Sequence, residues 1–92
     1  MIRHFKDNEA QVIYNTGRSR KYGRLARAIA RRLGAIDFAE TLDDLRDPPG
    51  NRLEALKGDR QGQYSIRIND RYRVCFRWQD NSAWDVEIVD YH

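Results

Sequence analysis

Cysteine, histidine and proline are all scarce in this chain. A lone Cys75 cannot close an internal disulfide, and it excludes metal sites built from cysteine pairs. It falls mid-strand with no evident histidine beside it, which makes it a poor thiol nucleophile. The two histidines, His4 and His92, cannot form a histidine-rich metal cluster. Gly-rich phosphate loops and the Gly-x-Ser-x-Gly elbow are missing as well. No apolar run approaches the roughly 20 residues that span a bilayer, and Met1 to Ala10 is too polar for a secretory signal. The expectation is therefore a soluble cytoplasmic protein that needs no metal and no cofactor and has no membrane partner.

Ninety-two residues, four tenths of them hydrophobic, suit a single domain, residues 1–92, with one core. The net charge of +3 is unevenly spread. Residues 1–36 carry nine Lys or Arg against two acids, residues 37–47 carry one against five, and residues 48–92 carry seven of each. Clustered arginine with a pI near 9.3 fits a polyanionic partner such as nucleic acid.

The most informative stretch is Asn51 to Trp78. Tyr64, Ile66 and Ile68, then Tyr72, Val74, Phe76 and Trp78, alternate with polar residues at period two, which predicts two half-buried strands. A two-residue connection would turn their apolar sets to opposite faces. A three-residue loop, Asn69-Asp70-Arg71, aligns them by pairing Ile68 with Tyr72, Ile66 with Val74 and Tyr64 with Phe76. That register sets Arg67 across from Arg73. Like charges facing each other on a sheet are destabilising, so the pair calls for a nearby carboxylate or a bound anion.

Before this hairpin the signals are helical. Ile2 to Phe5 alternates like an edge strand. Asp7 or Asn8 caps a helix that runs to about Asn15 and stops at Thr16-Gly17. Ser19 offers a second cap, followed by Leu25, Ala26, Ile29, Ala30, Leu33 and Ile36 at spacings of three and four. Arg24, Arg27, Arg31 and Arg32 lie mostly off that stripe and are candidate phosphate contacts. A further helical turn over about Ala39 to Leu45 would bury Leu42 and Leu45, and Asp47-Pro48-Pro49-Gly50 breaks the chain. A short strand is expected near Leu53 to Leu56, and a last strand over about Ala83 to Val89. There Trp84, Val86 and Ile88 would face the core if Trp78 pairs with Trp84. Arg77 would then meet Asp85, and Arg73 would face Val89, with no acid directly opposite.

Leu-x-x-Leu-Lys-Gly-Asp-Arg-x-Gly from Leu53 to Gly62, the Tyr-Arg-Val-x-Phe strand and the ending Asp90-Tyr91-His92 resemble the HigB toxins, plasmid-maintenance killer proteins of the RelE-like superfamily. The likeness extends to the chain length and to the opening Met-Ile-Arg-x-Phe-Lys. It implies an α+β fold, with two or three N-terminal helices on one face of a twisted, mainly antiparallel sheet of four to five strands. It further implies a ribosome-dependent endoribonuclease that cleaves translated mRNA. A helix-turn-helix, HigA-like antitoxin would neutralise it, with scope for a higher-order toxin–antitoxin assembly.

Functional positions carry over at Lys57, Arg73, Asp90, Tyr91 and His92. One branch of the family has histidine in the strand before Lys57, where this chain has Glu54, so His92 and Glu54 remain alternative bases. Arg73, helped by Lys57 and Arg67, would hold the scissile phosphate. Tyr91 would stack on or orient a base, and Asp90 would orient His92. The alternatives are a gyrase-inhibiting toxin on a related scaffold, or an RNA-binding module without catalysis.

Overall fold

Asp7 shows how the two halves of the chain are joined. In the computed structural model, which describes residues 1–90, one oxygen of its carboxylate accepts from the amide of Glu9 (2.9 Å) and the other from the amide of Ile88 (3.1 Å). The first bond caps helix α1, Asn8–Thr16. The second ties that helix start to the last strand. At the far end, Gly17 takes a left-handed φ of 74° and donates to the carbonyl of Ile13 (2.7 Å), a stop that glycine makes without strain.

Helix α2, Ala26–Phe38, buries Ala26, Ile29, Leu33 and Ile36, the predicted stripe. Its start differs from expectation. The Ser19 hydroxyl accepts from Tyr22 N (3.0 Å) and so closes a turn, and a short 3-10 segment, Gly23–Leu25, intervenes before the helix. Downstream, Leu42–Arg46 is a 3-10 turn in which Thr41 and Asp44 cap each other. Leu45 is buried there and Leu42 partly so.

Four strands follow: β1, Glu54–Ala55; β2, Gln63–Arg67; β3, Tyr72–Gln79; and β4, Ser82–Asp90. They form an antiparallel sheet in the order β1-β2-β3-β4. The N-terminal segment adds two parallel bridges along β4, Ile2 to Ala83 and Phe5 to Val86. Ile66, Ile68, Val74, Phe76, Ala83, Val86 and Ile88 pack with α1 and α2 in one hydrophobic cluster. At about 1.5–3 kcal/mol for each large side chain fully buried, this layer outweighs any single polar contact in the molecule.

The β2–β3 register is as expected: Ile66 opposes Val74 and Arg67 opposes Arg73. Asn69 Oδ1 closes the three-residue loop by accepting from the amides of Arg71 (2.9 Å) and Tyr72 (2.7 Å). The β3–β4 register departs from expectation at its outer end. Asp80 and Asn81, with φ of 54° and 56°, make a two-residue turn of the kind that matches strand twist. That turn forces Trp78 opposite Ala83 and Arg77 opposite Trp84, whereas Cys75 opposes Glu87 further along. One extra residue on β4 reconciles the two registers, and the bulge falls at Asp85, with φ of 53°. Trp84 therefore leaves the core face, and Ala83 takes the buried place.

Candidate active site

The sheet face turned away from the helices carries Glu54, Arg67 and Arg73. One row across it runs Glu54, Ser65, Cys75 and Glu87, and the next places Arg67 and Arg73 opposite each other, with Val89 beyond. Residues facing each other within a row stand on strands about 4.8 Å apart, and the two rows lie two residues apart along each strand.

Arg73 is held in place by polar contacts. Its Nε donates to Ser65 Oγ (2.7 Å), and its Nη2 donates to the carbonyl of Arg52 (2.6 Å). Ser65 is fully buried. Arg52 sits in a left-handed conformation, φ 48°, at the end of the Pro49–Asn51 turn. Buried Asn51 stabilises that loop by donating from Nδ2 to the carbonyls of Leu45 (3.2 Å) and Asp47 (3.4 Å). The Pro-Pro-Gly break thus delivers a carbonyl that orients a guanidinium on the sheet.

The Arg67–Arg73 pair has no acid directly opposite it, as expected, and the nearby carboxylate it calls for reaches Arg67 from the loop. Asp70, from the β2–β3 loop, pairs with the Arg67 guanidinium. A loop carboxylate three residues along supplies what no residue directly across the sheet could. The polar side of the two strands is itself covered: Ser65 and Cys75 are both wholly buried and Gln63 nearly so. Arg60 lies over them, donating from Nη1 to Gln63 Oε1 (3.1 Å) and to Glu87 Oε2 (3.1 Å). Burial pushes the Cys75 thiol up to about 11, which makes it an inert floor residue.

Arg77 lies further out on the same face, half exposed. The bulge leaves it opposite Trp84, yet its Nε still reaches Asp85 Oδ2 at 3.3 Å. Glu54 is exposed in the row beside Arg73, opposite Ser65, and Lys57 is exposed in the loop that follows β1. Asp90 opposes Tyr72, in the register of the core-facing residues, and its carboxylate pairs with Arg71 at 2.9 Å. That hydrogen bond holds Arg71 above its ordinary value. Tyr91 and His92 lie outside the described residues.

Arg24, Arg27 and Arg31 are exposed on the helical layer, with the sheet between them and Arg73. Arg24 and Arg27 border an open concavity of about 510 Å³ together with Arg18. Arg32, expected with Arg24, Arg27 and Arg31 to face phosphates, instead docks α2 onto the sheet by donating from Nε to the carbonyl of Arg67 (2.8 Å). Burial lowers its pKa, and the neighbouring cations Arg31 and Arg67 add to the effect.

The arrangement offers a polyanion one oriented guanidinium, a second cation opposite it and an exposed carboxylate on a single face, with an exposed lysine in the loop after β1. Residues 3–92 match the family model described as the RelE-like toxin of type II toxin-antitoxin system HigB. The chain belongs to this family.

It is 38% identical to Toxin HigB-1 of Vibrio cholerae serotype O1 over 85 residues, covering 90% of each chain. It is 32% identical to Endoribonuclease HigB of Proteus vulgaris over 95 residues, covering the whole of both. The fold resembles a chain of the heterotetrameric YoeB-YefM toxin-antitoxin complex from Staphylococcus aureus, with a TM-score of 0.62, 22% identity, and coverage of 100% of this chain and 98% of that one.

Sequence reasoning missed Ser65, Arg52, Arg60 and Asp70. Ser65 looked like any solvent-side serine, and nothing local reveals a carbonyl acceptor. Asp70, three residues from Arg67 in a short loop, was the one legible signal.

Proposed function

We propose that the chain is the toxin of a type II toxin–antitoxin pair and acts as a ribosome-dependent, metal-independent endoribonuclease on translated mRNA. Family membership supports the toxin class, and the relative named as an endoribonuclease supports the reaction. The observation that carries the site assignment is Arg73, oriented by a buried serine and a loop carbonyl on the sheet face that also holds Arg67 and Glu54.

The reaction needs few groups. The RNA 2′-OH attacks the adjacent phosphorus, and the P–O5′ bond breaks. A cyclic 2′,3′-phosphate and a free 5′-OH result. Glu54 or His92 takes the 2′-OH proton, and a protonated group returns one to O5′. Arg73, aided by Lys57 and Arg67, stabilises the charge that builds on the phosphoryl oxygens, the kind of preoriented donor that works best when little has to reorganise. Tyr91 orients a base. Asp90, paired with Arg71, anchors the end of β4 from which Tyr91 and His92 continue. Arg24, Arg27 and Arg31 face the other way and hold structured RNA of the ribosome. A helix-turn-helix antitoxin of the HigA kind silences the toxin in the cytoplasm.

The test is removal of Tyr91 and His92. Cleavage of mRNA on programmed ribosomes should fall by about 10²–10⁴, the range for general acid–base catalysis, with thermal stability and antitoxin capture unchanged. A truncated protein that still cuts at the full rate would overturn the role of the tail.

A further inference from the structure

The motif Lys57-Gly58-Asp59-Arg60 is only partly used by the function above, which calls on Lys57 alone. Gly58 and Arg60 build its support. Gly58, at φ 62°, turns the chain at the start of a 3-10 segment, Gly58–Arg60, and Lys57 is the residue that caps it. Arg60 N donates back to the carbonyl of Lys57 at 3.2 Å, so the two residues sit one tight turn apart. The Arg60 guanidinium then reaches down to the sheet, to Gln63 Oε1 and to Glu87 Oε2, both at 3.1 Å.

Glu87 is a firm anchor. Its side chain is only 17% exposed, and Lys6 Nζ approaches the same oxygen at 3.7 Å. It stands on β4 opposite Cys75, which opposes Ser65, the partner of Arg73. The strap from Arg60 to Glu87 thus fastens the Lys57 loop to the same row of the sheet that orients Arg73. Lys57 itself is exposed on a long flexible stem, and its backbone position is what the fold controls.

We propose that Arg60 is a positioning residue. Through its strap to Glu87 it sets Lys57 at the distance from Arg73 that lets both cations meet one phosphate. This rests on the reading of Lys57 and Arg73 as phosphate contacts. Its guanidinium, turned onto Gln63 and Glu87, does not touch RNA.

The experiment is single-turnover mRNA cleavage on programmed ribosomes with Arg60→Gln, Arg60→Lys, Glu87→Gln and Lys57→Ala, read beside ribosome affinity, thermal midpoint and amide exchange over residues 57–61. Arg60→Gln and Glu87→Gln should each slow cleavage at saturation roughly 10- to 100-fold, the scale of a misplaced catalytic group. Ribosome affinity should stay within about two-fold, because no charge facing RNA is removed. Arg60→Lys should recover part of the rate. In the Lys57→Ala background, Arg60→Gln should add nothing.

A full Arg60→Gln effect in that background would overturn the inference. So would a loss with Arg60→Gln that Glu87→Gln does not share, which would make Arg60 an RNA contact. Faster exchange over residues 57–61 in both strap variants is expected whether or not the wild-type protein cuts RNA. Unchanged exchange would remove the strap itself. An inactive wild-type protein with the exchange result intact would instead overturn the nuclease reading.

Discussion

Replacing Arg73 with alanine and Arg77 with alanine separates the site from its surroundings, since both residues lie on the same sheet face, one row to either side of Cys75. Arg73 donates to buried Ser65 Oγ and to the Arg52 carbonyl, whereas Arg77 is half exposed and pairs only loosely with Asp85 at 3.3 Å. Arg73→Ala deletes an oriented charge donor, a change that costs about 10²–10³ in rate where such donors stabilise developing charge. It also leaves the Ser65 hydroxyl without its donor in a buried place, a penalty of about 1–3 kcal/mol in stability. Arg77→Ala removes a surface pair worth about 0–1 kcal/mol and should leave the rate within about three-fold. The assay is single-turnover cleavage of mRNA on programmed ribosomes at saturating toxin, paired with urea unfolding at the same temperature. Equal rate losses in the two variants, or a fully active Arg73→Ala protein, would refute the assignment of Arg73 to the scissile phosphate.

On the helical layer, Arg24→Gln, Arg27→Gln and Arg31→Gln combined should weaken ribosome binding and flatten its salt dependence by roughly 0.7–0.9 in log–log slope for each phosphate no longer neutralised. An unchanged slope would leave these arginines as a solvated surface. Cys75, buried under Arg60, should resist alkylation in the native protein at pH 8 and label at once in urea. Its thiol is held at about 11 when folded, against about 8.5 in an unfolded chain. The neutral form therefore contributes stability that is complete below pH 8.5 and is lost as pH rises from there towards 11, and Cys75→Ala should lessen that alkaline loss in thermal midpoint scans. In the core, Leu33→Ala should cost about 2–5 kcal/mol by urea unfolding. Phe38→Ala, at a side chain 89% exposed on the end of the same helix, should shift stability by no more than about 0.5 kcal/mol.

Much of the fold could be read from local pattern, because some structural choices depend only on neighbours in sequence. Asp7 and Gly17 bound the first helix by capping chemistry. The stripe through Ile29, Leu33 and Ile36 marks the buried side of the second. A three-residue loop leaves one register for β2 and β3, and that register alone brings Arg67 to Arg73. The second strand pair shows where such reasoning stops. Val74 meets Ile88 as the alternation demands, but the Asp80-Asn81 turn imposes a register one residue away, and only the bulge at Asp85 satisfies both. A turn and a core that disagree by one residue are reconciled by the whole sheet.

The site divides in the same way. Residue types and alternation settled that cations and a carboxylate share a face. Tertiary structure alone decided that this face has a buried polar floor, that the Arg52 carbonyl orients Arg73, and that Arg60 straps its loop to Glu87. These are contacts between segments up to 27 residues apart. Their partners are chosen by how strands, loops and helices pack, and the local pattern of the chain carries no record of that packing.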